Sequence, residues 1–154
     1  MKKVLIALDY GISARNVAEK GHELARSMGA KVTLIHVVAD ESYYNTMDSV
    51  PFLGFYGYDF FNNTENNQTL VESSLDFLEN IKSHLKDSGI ETIAEHGEFA
   101  DVILDVALSH KFDVIVVGSH SHNWLEKAIM GSVTESVLAK TEIPLFIIPV
   151  REHK

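Results

Sequence analysis

Val114-Ile115-Val116-Val117-Gly118-Ser119-His120-Ser121 and, after a polar interval, Met130-Gly131-Ser132-Val133-Thr134-Glu135 read as a buried strand, a loop and a helix start. The first four residues are β-branched and do not alternate with polar ones, which is the pattern of a strand covered on both faces. Ser132 and Glu135 have the spacing of a capping box, so a helix is predicted to open there with Ser132 as its N-cap. A helix N-terminus beside the carboxyl end of a strand leaves backbone N–H groups without partners. An anion can be held at such a place without basic side chains. Residues 118–133 are therefore predicted to form a phosphate cradle. Ser132 carries two readings, because a hydroxyl spent on the Glu135 amide is less available to a phosphate.

The same alternation extends in both directions. Lys3-Val4-Leu5-Ile6-Ala7-Leu8 is a strand run, after which the apolar positions become Ala14, Val17, Ala18, Gly21, Leu24, Ala25 and Met28. That change of period predicts a helix from about residue 14 to about residue 28, with Ser13 as N-cap and Gly29 as the left-handed residue past its end. Residues 31–38 make a second strand. A second helix follows Leu70, Val71, Leu75, Leu78, Ile81 and Leu85 and stops near Ser88-Gly89. A third follows Val102, Ile103, Val106 and Ala107, and a fourth follows Val133, Val137 and Leu138. Short strands are expected at about 91–96 and 113–118, and Pro144 starts a last one ending near Val150. Right-handed crossovers then predict an α/β domain, a doubly wound five-stranded parallel sheet with helices on both faces. Ligands of such sheets bind beyond the strand carboxyl ends where strand order reverses, which would bring Asp9 opposite the Gly118 loop.

The 154 residues are 45% hydrophobic, enough for one domain spanning 1–154 with its own core. The absence of cysteine excludes disulfides, a thiolate nucleophile and thiolate-held metal, and Met1-Lys2-Lys3 leads directly into a strand; a cytoplasmic address is expected. Apolar runs such as Leu145-Phe146-Ile147-Ile148 are far too short to span a membrane. A net charge of −9 opposes broad contact with nucleic acid or anionic lipid.

Ile6-Ala7-Leu8-Asp9, His36-Val37-Val38, the Gly97-x-x-Ala100-x-x-Ile103 stretch and the loop from Gly118 to Val133 together resemble the universal stress protein family, over nearly the whole chain. The resemblance implies an adenine nucleotide alpha hydrolase-like fold. Family members with bound nucleotide carry Gly-x-x-Gly, nine residues, then Gly-Ser/Thr. Gly118, Gly131 and Ser132 stand at that spacing, and Ser121 takes the place of the second glycine. By the same resemblance, Ala7, Asp9 and Val37 would hold adenosine, with Asp9 toward the ribose and the Val37 backbone toward adenine. Gly118, His120 and Ser121 would line the near side of the loop. The amides of Gly131, Ser132 and Val133 and the Ser132 hydroxyl would meet the phosphates of ATP, ADP or AMP, a triphosphate bringing Mg²⁺ with it.

From the residues alone, Asp9 either accepts ribose hydroxyls or closes the turn through an Asx bond to Gly11 or Ile12. His120, His122, Asn123 and Trp124 are read as a solvated loop, since no third metal ligand accompanies the two imidazoles. His36 and His96 are expected to be satisfied core or edge residues. No catalytic residue is assigned: a Walker lysine is absent, no carboxylate is poised over the loop, and hydrolysis would be slow at best. A phosphotransfer receiver needs an acidic pair after the first strand, and a flavodoxin-like protein needs a hydroxyl-rich loop there; Asp9-Tyr10-Gly11-Ile12-Ser13 supplies neither.

Residues 40–68 form an aromatic-rich insertion holding Tyr43, Tyr44, Phe52, Phe55, Tyr56, Tyr58, Phe60 and Phe61. A disordered linker would lack that apolar bulk, so packing or a dimer contact is favoured there over a lid. The last strand, Pro144-Leu145-Phe146-Ile147-Ile148-Pro149-Val150, lies at the sheet edge in this fold and is the expected homodimer contact. Two functions remain: a dimeric nucleotide-binding stress-response regulator, or a stress-linked interaction module without nucleotide.

Overall fold

A computed structural model describes residues 1–11, 13–39, 67–119 and 131–150. Within them the strands are β1 (Lys3–Ala7), β2 (Lys31–Val38), β3 (Glu91–His96), β4 (Val114–Gly118) and β5 (Leu145–Ile148). The helices are α1 (Ala14–Ser27), α2 (Asn67–Leu85), α3 (Phe99–Ser109) and α4 (Ser132–Lys140). Every neighbouring pair of strands is parallel, in the order β3-β2-β1-β4-β5, so the expected five-stranded doubly wound sheet forms. The aromatic-rich insertion, apart from the start of α2, lies outside the described residues.

The continuous apolar strands follow from burial on both sides. Val4, Ile6 and Leu8 pack on one face against Val17, Ala18 and Ala25 of α1 and Leu78 and Ile81 of α2. Leu5, Ile35, Val37 and Val117 pack on the other against Ile103 and Ala107 of α3 and Val137 of α4. Each fully buried Leu or Ile contributes roughly 1.5–3 kcal/mol relative to an exposed one, so the period-2 division of β1 holds both helix layers at once.

Helix ends depart from the sequence signals in instructive ways. At the close of α1, Gly29 has φ 62°, its N–H donates to the Arg26 carbonyl at 3.1 Å, and the Ala30 N–H donates to the Ala25 carbonyl at 2.9 Å. This is a Schellman closure with the expected glycine. Helix α3 closes in the same way without one: Lys111 has φ 56°, and Lys111 and Phe112 donate to Leu108 and Ala107 at 3.1 and 2.9 Å. Ser13 stands at the N-cap of α1 but its side chain makes no capping bond. Glu98 caps α3, its carboxylate accepting the amides of Ala100 at 3.3 Å and Asp101 at 2.8 Å.

The capping box expected at Ser132 does not form. Gly131 is the N-cap of α4, with φ −60° and ψ 152°, and among the described residues no side chain caps the helix. The Glu135 N–H donates to the Gly131 carbonyl at 2.9 Å, which makes Ser132 the first helical residue.

Candidate functional site

The strand order reverses between β1 and β4, whose carboxyl ends therefore border the same gap. A cleft of about 120 Å³ opens there. That is less than the several hundred Å³ of a cleft enclosing a whole drug-sized ligand, so it suits one ring of a ligand with the remainder lying across its mouth. Ala7, Asp9, Val37, Gly118, Gly131, Ser132 and Val133 all line this cleft. Seven of the predicted site residues, scattered over the length of the chain, thus meet in one place. The other two, His120 and Ser121, lie outside the described residues.

Asp9 follows β1 at the cleft wall. Its Oδ1 accepts the Gly11 N–H at 2.8 Å, closing the turn into α1 as an Asx bond. Burial pushes its carboxyl up to about 6, against the opposing pull of the Gly11 amide. The turn-closing reading of Asp9 is therefore realised in a residue that also faces the cleft, where a carboxylate can accept hydroxyl groups.

Opposite stands the first turn of α4. The buried Thr134 donates its hydroxyl to the Gly118 carbonyl at 2.8 Å, pinning this turn to the end of β4. The Gly131 N–H donates to the Ser119 carbonyl at 2.7 Å. That bond corrects one expectation: Gly131 lines the cleft, but its amide serves the loop and is not a donor for phosphate. Helix geometry gives the amides of Ser132, Val133 and Thr134 no intrahelical acceptor, and among the described residues no side chain caps them. They carry the positive end of the helix dipole. Ser132 is exposed and its hydroxyl is not spent on a cap, which removes the competition between capping and binding.

Several lining residues carried no prediction as site residues. Phe99, Ile103, Ile35 and Val117 give the cleft an apolar wall, and Thr134 fixes its donor turn. Ile103 was visible as part of the Gly97-x-x-Ala100-x-x-Ile103 stretch, but its role needs the fold. His36 is a satisfied core histidine, as expected, and also borders the cleft. Its Nδ1 bonds the Ser74 hydroxyl at 2.9 Å, Ser74 bonds the Tyr10 hydroxyl at 2.9 Å, and the Tyr10 and His36 rings lie 4.3 Å apart. Burial pushes the imidazole down to about 3, so it is neutral throughout the physiological range.

No helix among the described residues is long and apolar enough to cross a membrane. Universal stress protein MJ0577 of Methanocaldococcus jannaschii is 31% identical over 156 residues, covering 96% of this chain and 94% of that protein. A solved structure of MJ0577 superposes with a TM-score of 0.74 at 26% identity, covering 99% of this chain and 98% of that one. Two further solved folds are similar. A universal stress protein in complex with cAMP gives a TM-score of 0.64 at 19% identity, with 96% of each chain covered. The Archaeoglobus fulgidus universal stress protein in complex with dAMP gives 0.61 at 20%, with 96% and 98% covered. The model of the universal stress protein family matches residues 1–149, and the chain belongs to that family.

Proposed function

We propose that this chain binds an adenine nucleotide, ATP or its products ADP or AMP, in the cleft between β1 and β4 and acts as a dimeric stress-response regulator. The observation that carries the proposal is the pairing of an acceptor with donors: the Asp9 carboxylate on one side and the uncapped first turn of α4 on the other. A nucleotide has complementary ends, hydroxyls on the ribose and anionic oxygens on the phosphate. The adenine lies on the apolar wall near Val37, Ala7 and Ile103; Asp9 accepts from the ribose; the amides of Ser132 and Val133 and the Ser132 hydroxyl receive the phosphates, with Gly118, His120 and Ser121 alongside. The cAMP and dAMP complexes of the two relatives support adenine as the base. A triphosphate would carry Mg²⁺ with it, and the ion would neutralise part of the phosphate charge. The chain's own residues orient the ligand, and no group is assigned to chemistry upon it.

The decisive experiment is denaturation of the purified protein and mass identification of any released nucleotide, with calorimetric titration of ATP into emptied protein. Co-purifying or titratable adenylate is the expected result. Gly131→Val should abolish binding while leaving the fold, because the Gly131 backbone is in a region open to any residue. Retained affinity in that variant would place the ligand elsewhere.

A second reading is an interaction module without nucleotide. It is favoured by Ser121 in place of the second loop glycine and by the engagement of the Gly131 amide with Ser119. An empty protein that takes up no ATP would select it. On either reading we propose a homodimer contact at residues 144–150, a reading supported by β5 being the sheet edge and by Phe146 being 42% exposed.

A further inference from the structure

Ser119 follows β4 directly and joins three pieces of the chain. Its N–H donates to the Ile148 carbonyl at 2.9 Å, continuing the β4–β5 ladder beyond its last strand pair. Its hydroxyl accepts the Val150 N–H at 2.9 Å. Its carbonyl accepts the Gly131 N–H at 2.7 Å. The two main-chain bonds are open to any residue other than proline at position 119; the hydroxyl bond requires Ser or Thr. Pro149 has no N–H to offer, so the Val150 amide is the next donor beyond β5, and Val150 is itself buried.

We propose that Ser119 is a positioning residue for the anion cradle. The inference rests on the adenylate reading of the cleft. The Val150 amide holds the Ser119 side chain, the held residue fixes the direction of its own carbonyl, and that carbonyl sets the place of the Gly131 N–H. Gly131 is the N-cap of α4, so the next amides, those of Ser132 and Val133, are aimed by where it sits. Thr134, bonded to the Gly118 carbonyl, is the second anchor of the same turn. Hydrogen bonds weaken steeply as the donor angle departs from linearity, so loss of one anchor reduces phosphate affinity without emptying the cleft. The end of β5 thereby reaches the phosphate site without touching the ligand.

The test uses the full chain and three variants, Ser119→Ala, Ser119→Thr and Val150→Pro. Dissociation constants are measured for ATP and for adenosine, and exchange of the Gly131 amide is followed by NMR without ligand. Ser119→Ala is expected to weaken ATP by about tenfold, the worth of one net hydrogen bond, and to leave adenosine within about twofold. Gly131 exchange rises, and Ser119→Thr restores both. Val150→Pro removes the same bond from its other end, so it gives the same selective loss. Equal losses for ATP and adenosine would mean a general structural role and overturn the proposal, as would unchanged exchange at Gly131. If the wild-type chain binds neither ligand, the adenylate reading fails by itself, and Gly131 exchange alone decides whether Ser119 holds that amide.

Discussion

Asp9 combines a structural bond with a cost. Its pKa rises from 3.8 to about 6 because burial disfavours the carboxylate, so the folded chain binds more protons than the unfolded chain between those values. Stability must then fall as pH rises through that window and stay lower above it. Asp9→Asn keeps an oxygen for the Gly11 N–H. It is expected to flatten the slope and raise stability at pH 7 by up to roughly 2–3 kcal/mol, because each tenfold change in proton affinity is worth about 1.4 kcal/mol. Urea titrations at pH 4 and pH 7 check this, and an Asn variant less stable at pH 7 contradicts it. Ligand binding runs the other way. Adenosine has no phosphate to titrate, so its affinity for the wild type should drop as pH falls through about 6, where Asp9 gains its proton. Calorimetry across pH 5 to 8 measures the drop, which the Asn variant should lack. On the adenylate reading Asp9 trades stability for binding, as functional positions commonly do.

At the level of the element, helix ends show local preference yielding to tertiary contact. Lys111 holds a left-handed conformation at the place where α1 has Gly29. A non-glycine residue there costs about 1–2 kcal/mol, partly offset by the flexibility a glycine adds to the unfolded chain. Lys111→Gly should therefore stabilise the fold by about 0.5–1 kcal/mol, read as a higher urea midpoint at unchanged slope. Gly97 joins β3 to α3 with φ 150°, and a Cβ there would lie 2.7 Å from Cγ2 of Val102. Gly97→Ala should destabilise by about 1–3 kcal/mol, and a neutral thermal melt would show that the junction relaxes freely. The start of α4 follows the same logic. Ser132 and Glu135 have capping-box spacing, yet the Ser119 carbonyl and the Thr134 hydroxyl fasten this turn to β4, and Gly131 becomes the N-cap instead.

Across the whole molecule, β5 is one edge of the sheet, and its exposed Phe146 stands among residues that otherwise serve the core. If copies associate there, Phe146→Glu buries a charge in the contact and should give a monomer by sedimentation velocity. An unchanged dimer would move the contact to another surface. The order of strands and helices, the parallel sheet and the placement of Asp9 on one cleft with Gly118 and the start of α4 were legible in the residues themselves. They follow from periodicity, glycine placement and crossover handedness, which are local properties or nearly so. The helix N-cap at Gly131, the Schellman end at Lys111, the engagement of the Gly131 amide and the contributions of Phe99, Ile103 and Thr134 were not legible. Each depends on a partner far away in sequence or on the choice between two acceptors within reach. A short motif reports which donors and acceptors a segment owns; only packing of the sheet against its helices decides which of them are already spent and which remain for a ligand.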